Sequence, residues 1–228
     1  MATILQIETA TSTCSAAISL NGETIALKEL RAHNIHAGSL TLFIEEVMAN
    51  AGMAYADLDA VAVSKGPGSY TGLRIGVSTA KGICFAVEKP LIGINTLQMM
   101  ARGFLGTAEN YSGLVCPMID ARRMEVFTAL YDQHLTEVLP VSAKIIDEYS
   151  YLEELENREI SFIGDGAMKC NESILSANAH FSALNFNSAA HMSGLAFEAF
   201  NRQDFEDTAY FEPYYLKDFV ITQAKKKV

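Results

Sequence analysis

Residues 60–82, AVAVSKGPGSYTGLRIGVSTAKG, hold the densest set of groups that could do chemistry. An apolar run from Ala60 to Val63 leads into Gly66-Pro67-Gly68, and Ser69 or Thr71 can cap a helix running to about Val87. A strand, a glycine turn and a helix N-terminus suggest a phosphate cradle, because free helix amides collect anions. The residue types argue against it: G-x-x-x-x-G-K-[ST] is missing, and Lys65 precedes the turn instead of following it. Ser64 and Ser69 offer hydroxyls, yet no G-x-S-x-G sets either on a nucleophile elbow. His33 and His36, at the mouth of a helix with Glu29 near in sequence, could hold a metal if that carboxylate joined them. His134, His180 and His191 have no neighbouring nucleophile or carboxylate pattern suited to general-base work.

The helix that must position the glycine turn has two prepared faces. Leu73, Val77, Ala80, Cys84 and Val87 follow core spacing, while Gly72, Gly76 and Thr79 line another side with almost no bulk. Each helix glycine costs about 1 kcal/mol relative to alanine, so a second backbone packed on the small strip is expected to offset the loss. That backbone can belong to this chain or to a partner. In the preceding helix, His36 to Ala51, Leu40, Phe43, Ile44, Val47 and Met48 look more hydrophobic than one internal face needs.

Composition narrows the function classes. The chain has 228 residues, half of them hydrophobic, and a net charge of −10. Nucleic-acid affinity comes mostly from neutralised phosphates, so an acidic chain with 17 basic residues is expected to bind RNA weakly by itself. Lys225-Lys226-Lys227 is the one basic cluster and reads as a solubilising terminus. Residues 1–20 lack a basic stretch followed by an apolar one, and no apolar run reaches the ~18 residues of a membrane span, so the cytoplasm is the expected compartment. Cys14, Cys84, Cys116 and Cys170 lie far apart without C-x-x-C and read as reduced core thiols.

The pattern of apolar runs and turn signals gives an α/β chain whose order repeats. Strands at 3–9, 14–20 and 23–30, the last two joined by Asn21-Gly22, precede a helix (36–51), a strand (59–64), the helix 70–87 and a strand (90–94). From Gly113 the order recurs: strands at 113–119, 124–131 and 135–145, a helix (147–156), a strand (160–164), a helix (167–176), a strand (180–184) and a helix (188–201). Each half thus reads β-β-β-α-β-α-β, with residues 96–112 as the junction. Two lobes are expected, 1–100 and 101–228, with the last residues packing back on the first.

The stretch G-P-G-S-Y-T-G-L-R-I-G-V-S-T-A-K-G resembles the signature of the TsaB (YeaZ) family, proteins required for threonylcarbamoyladenosine modification of tRNA. Weaker matches are Ile4-Leu5-Gln6-Ile7-Glu8-Thr9-Ala10-Thr11, Ile119-Asp120-Ala121-Arg122-Arg123-Met124-Glu125-Val126 and Pro213-Tyr214-Tyr215-Leu216-Lys217, so the likeness covers essentially the whole chain. It implies two tandem actin-like, sugar-kinase-like (RNase H-like) lobes. In working ATPases of that fold a carboxylate ending strand one positions magnesium; Glu8 stands there, followed by a turn without glycine. The corresponding remnants are Asp120 in the second hairpin and Gly164 and Gly166, where relatives contact adenosine. Arg122 and Arg123 could hold phosphate, or pair with carboxylates of this acidic chain.

The resemblance further implies a non-catalytic subunit that dimerises with TsaD and works with the ATPase TsaE, meeting tRNA only through that complex. No tightly bound cofactor and no metal are expected, ATP and magnesium entering only in the assembled complex, and a homodimer is expected when TsaD is absent. His36 would then be a helix cap. The expected interface comprises Leu40, Phe43, Ile44, Val47 and Met48 of one helix with Tyr70, Gly72, Leu73, Ile75, Gly76, Thr79 and Ile83 of the next. Two alternatives stay open: an active ATP-dependent kinase or ATPase of the actin-like superfamily using Glu8 and Asp120, and an M22-type metallopeptidase.

Overall fold

The computed structural model describes residues 1–32 and 35–217; His33 and the Lys225–Lys227 cluster lie outside them. The first sheet is built from β1 (Thr3–Glu8), β2 (Thr13–Leu20), β3 (Glu23–Arg31), β4 (Ala60–Gly66) and β5 (Leu91–Asn95), in the order β3-β2-β1-β4-β5. β1, β2 and β3 run antiparallel, while β4 and β5 add in parallel to β1. Asn21-Gly22 closes the β2–β3 hairpin with φ of 53° and 87°, the left-handed pair that matches strand twist. Parallel neighbours need crossovers, and these are α1 (His36–Ala51) and α2 (Tyr70–Val87). α1 ends at Gly52, whose φ of 67° lets its amide reach the carbonyls of Ala49 and Met48. Ser69 caps α2 by accepting from the Gly72 amide at 3.3 Å.

The second sheet repeats the plan with β6 (Leu114–Asp120), β7 (Glu125–Tyr131), β8 (Glu137–Ile145), β9 (Ile160–Ile163) and β10 (Ala179–Phe181), in the order β10-β9-β6-β7-β8. Its helices are shorter than the sequence pattern predicts. Asp147 spends its carboxylate on the Tyr149 amide and the Ser150 hydroxyl, and Tyr151 sits at φ 64°, so α4 (Leu152–Asn157) starts late. The helix expected over 167–176 is only a 3-10 turn, Met168–Cys170, in a segment whose Asn171, Ser173 and Ser176 favour turns. The helix expected over 188–201 divides into a 3-10 turn (Ala189–Met192) and α5 (Ser193–Asn201).

The stretch 96–112, expected as a junction, opens with α3 (Thr96–Leu105), capped by the Asn95 side chain on the amides of Leu97 and Gln98. A division at residue 100 passes through the middle of this helix. Met99, Met100 and Ala101 are buried in a core cluster that takes residues from both sheets and from α5. Separate clusters fill the outer sides, one beneath α1 and α2, the other between the second sheet and α4. After α5 the chain returns to the first lobe: the Glu206 amide donates to the Leu91 carbonyl at 2.9 Å and the Tyr214 amide to the Lys65 carbonyl at 2.7 Å.

Candidate functional site

Two regions hold the residues that the sequence singles out: the space between the hairpins of the lobes, and the outer surface of α1 and α2. Glu8 ends β1 fully buried. Its Oε1 accepts from the Ala10 amide at 2.6 Å, and its Oε2 has no hydrogen-bond partner among the described residues. Burial pushes the Glu8 carboxyl up to about 7, against the opposing pull of the Ala10 amide.

The turn after Glu8 lies directly on α2. The Ala10 carbonyl accepts from the Ser69 amide at 2.6 Å, and the Thr9 hydroxyl donates to the Gly72 carbonyl at 2.8 Å. A Cβ at Gly72 would lie 2.1 Å from the Thr9 carbonyl oxygen, and one at Gly76 would lie 2.2 Å from Thr9 Oγ1. The small strip on α2 therefore faces this chain's own first turn, which corrects the expectation that Gly72 and Gly76 receive a partner. Close packing of Thr9 repays the helix glycines through backbone approach and dispersion.

The second hairpin is tied down as well. Asp120 ion-pairs with Lys169, its Oδ1 accepts from the Arg122 amide at 2.8 Å, and its own amide donates to Asp165. A Cβ on Gly166 would sit 3.0 Å from the Asp120 amide nitrogen, and one on Gly164 2.5 Å from the Met118 carbonyl oxygen. Among the described residues no hydrogen bond or ion pair joins Glu8 to Asp120, Gly164 or Gly166. Arg122 and Arg123 are exposed and pair with no described carboxylate. These residues do not fit a nucleotide–magnesium site: a hydrated cation needs carboxylate oxygens it can reach, and those of Glu8 are sealed.

His36 is buried, its Nε2 lying 3.1 Å from the Thr13 carbonyl oxygen, and Glu29 accepts from the Ser188 hydroxyl at 2.6 Å. These two residues are thus engaged separately, and the described residues contain no group of three His, Cys, Asp or Glu placed to hold a metal.

On the outer surface the structure divides the expected interface set. Leu40, Phe43, Ile44, Val47, Met48 and Leu73 are buried in this chain's own core. Their stripes are what α1 and α2 need to cover the first sheet, so they leave nothing over for a partner. Tyr70, Ile75, Thr79 and Ile83 are half-buried at the rim. The open ridge of α2 is instead Thr71, Arg74, Ser78, Gly82, Phe85 and Ala86, all exposed. Phe85 keeps 85% of its surface, Leu42 on α1 keeps 59%, and a Cβ on Gly82 would meet nothing within 4 Å. Sequence reasoning missed Leu42, Arg74 and Phe85. The available signal was that both apolar residues fall off the core stripes of their helices.

One flank of this ridge is built by the returning C-terminal segment. Lys81 Nζ donates to the carbonyls of Ala209 and Phe211, both at 3.1 Å. The Tyr215 ring packs on Tyr70 with centroids 4.9 Å apart and planes tilted by 34°, the Arg74 guanidinium lies 4.3 Å from the Tyr70 ring centre, and Arg74 Nε donates to the Tyr215 hydroxyl at 3.1 Å. Lys217 ion-pairs with Glu125 of the second lobe.

Comparison with known proteins assigns the family. A family profile described as "TsaD: tRNA N6-adenosine threonylcarbamoyltransferase" matches residues 30–226. The Bacillus subtilis tRNA threonylcarbamoyladenosine biosynthesis protein TsaB is 30% identical over 165 residues, covering 71% of this chain and 70% of the relative. The chain belongs to the TsaB (YeaZ) family. Haemophilus influenzae TsaB is 39% identical over 127 residues, 55% of this chain and 52% of the relative, so the match spans about half of that protein's length. The solved structure "YeaZ from Pseudomonas aeruginosa" superposes with a TM-score of 0.83 at 24% identity, covering 95% of this chain and all of that one, which shows the shared fold. That fold is α/β, two mixed five-stranded sheets with helices packed on them. No helix among the described residues is long and apolar enough to cross a membrane.

Proposed function

We propose that this chain is a non-catalytic partner subunit of a TsaD-type threonylcarbamoyltransferase. It serves the installation of N6-threonylcarbamoyladenosine in tRNA, with the ATPase TsaE as third component and tRNA engaged only through the complex. The observation that carries this reading is the open ridge of α2, with Phe85 85% exposed beside Gly82 and Leu42 59% exposed on α1. Large apolar side chains on solvent-facing helices mark an interaction surface, and Gly82, one turn from Phe85 on α2, lets a second helix approach closely.

The closed first turn supports the same reading from the other side. Thr9 and Ala10 lie on α2, where an ATP-using relative would place phosphates, and Glu8 lies beneath them. Nucleotide and magnesium, on this account, bind at subunit junctions of the assembled complex. Without TsaD the same ridge pairs with a second copy of the chain, because an exposed apolar strip of this size favours self-association.

Co-elution with a TsaD-type subunit on size-exclusion chromatography tests the proposal. Phe85→Asp should abolish pairing while circular dichroism and the melting transition stay those of the parent chain. Retained pairing would refute the docking face.

A further inference from the structure

The Arg74 guanidinium, pinned between two tyrosines at the border of the α2 ridge, goes beyond the apolar docking surface. Arginine loses side-chain entropy when it is fixed at an interface, and a guanidinium held in place beforehand avoids part of that loss. Here the Tyr70 ring centre lies 4.3 Å from the guanidinium carbon, the Tyr215 hydroxyl accepts from Nε at 3.1 Å, and the Tyr215 ring itself packs, tilted, on Tyr70 at 4.9 Å. Nη1 and Nη2 make no hydrogen bond or ion pair to any described residue, which leaves both prongs of the fork unengaged among the described residues. Among the described residues Arg74 forms no ion pair, with Glu212 or any other carboxylate.

We infer that Arg74, positioned by Tyr70 and Tyr215, selects the partner by a two-pronged ion pair with a carboxylate side chain on the docked subunit. The inference rests on the α2 docking reading. A planar guanidinium whose Nη groups are unengaged among the described residues matches a carboxylate in fork geometry. The setting favours a protein ligand over a nucleic-acid one: Arg74 borders Ser78, Gly82, Phe85 and Ala86, an apolar and small-residue ridge, on a chain of net charge −10. The assignment also gives a task to the Pro213–Lys217 motif, which brings Tyr215 to α2 across 141 residues of sequence.

The test measures the dissociation constant with the TsaD-type subunit by calorimetry at two salt concentrations. Arg74→Ala should weaken binding roughly tenfold to a hundredfold and flatten the salt dependence, and Arg74→Lys should not restore it. Tyr215→Phe, which keeps the ring contact with Tyr70 and loses the hydroxyl, should weaken binding roughly threefold to tenfold and broaden the Arg74 Nε–H resonance in the free chain. It should add nothing in an Arg74→Ala background. Phe85→Asp serves as the reference. If Phe85→Asp abolishes pairing while Arg74→Ala and Tyr215→Phe bind within twofold of the parent, the arginine inference is overturned and the docking face stands. If Phe85→Asp binds normally, the docking face falls and the arginine inference with it. Loss of tRNA binding by the assembled complex in Arg74→Ala, with pairing intact, would assign the fork to a phosphate and overturn the inference.

Discussion

The Thr9 hydroxyl donates to the Gly72 carbonyl at 2.8 Å, joining the turn after the first strand to the second helix across 63 residues of sequence. This contact makes Gly72 and Gly76 internal packing residues. Gly72→Ala and Gly76→Ala should each destabilise the chain by roughly 1–3 kcal/mol, because a Cβ at Gly72 meets the Thr9 carbonyl oxygen at 2.1 Å and one at Gly76 meets the Thr9 hydroxyl at 2.2 Å. Gly82→Ala, with open space around it, should stabilise by about 0.5–1 kcal/mol. Urea unfolding midpoints separate the two behaviours.

Glu8 makes stability depend on pH. Its carboxyl stands at about 7 in the folded chain against an ordinary 4.5, so the native state holds the proton more tightly than the unfolded one. The stability this gives is fully present below about pH 4.5 and is lost as pH rises through about 7, a loss on the order of 3 kcal/mol for this buried group. Glu8→Gln, which still accepts from the Ala10 amide, should match the parent near pH 4.5 and melt several degrees higher at pH 8. Thermal scans across that range check the sign.

The four cysteines are buried, and burial pushes the thiols of Cys14 and Cys84 up to about 11 and that of Cys116 up to about 12. A thiol that stays protonated is a poor nucleophile. Thiol titration with a disulfide reagent at pH 8 should therefore find the folded chain almost inert and all four groups reactive in denaturant.

Two neighbouring leucines of α1 should respond in opposite ways. Leu40→Asp buries an unpaired charge in the core and should prevent folding, whereas Leu42→Asp lies on the exposed side and should leave folding intact while weakening partner binding. Circular dichroism beside a pull-down with the TsaD-type subunit distinguishes these outcomes.

Much of the first lobe was legible because its signals are local. Asn21-Gly22 announces a hairpin and Ser69 a helix start, and both do so in the structure. The faces of the helices were not legible to the same degree. Leu40, Phe43 and Ile44 read equally well as core or as partner surface, and only the position of the first sheet decides between them. Gly72 and Gly76 proclaim a close approach without naming the approaching backbone, since Thr9 is remote in sequence. In the second lobe, Asp147 looks like a helix cap but closes its own turn, and the helix starts later. The Pro213–Lys217 motif was visible as a resemblance, while its contact with Tyr70 and Arg74 depends on how the chain returns from α5.

The central claim is that the exposed ridge of α2 docks a TsaD-type subunit while the turn over Glu8 keeps nucleotide out of this chain. Sedimentation velocity of the chain mixed with that subunit, for the parent and for Phe85→Asp, measures the first part directly. The account predicts a one-to-one complex for the parent and two independent, folded species for the variant. Identical complexes from both proteins would contradict it.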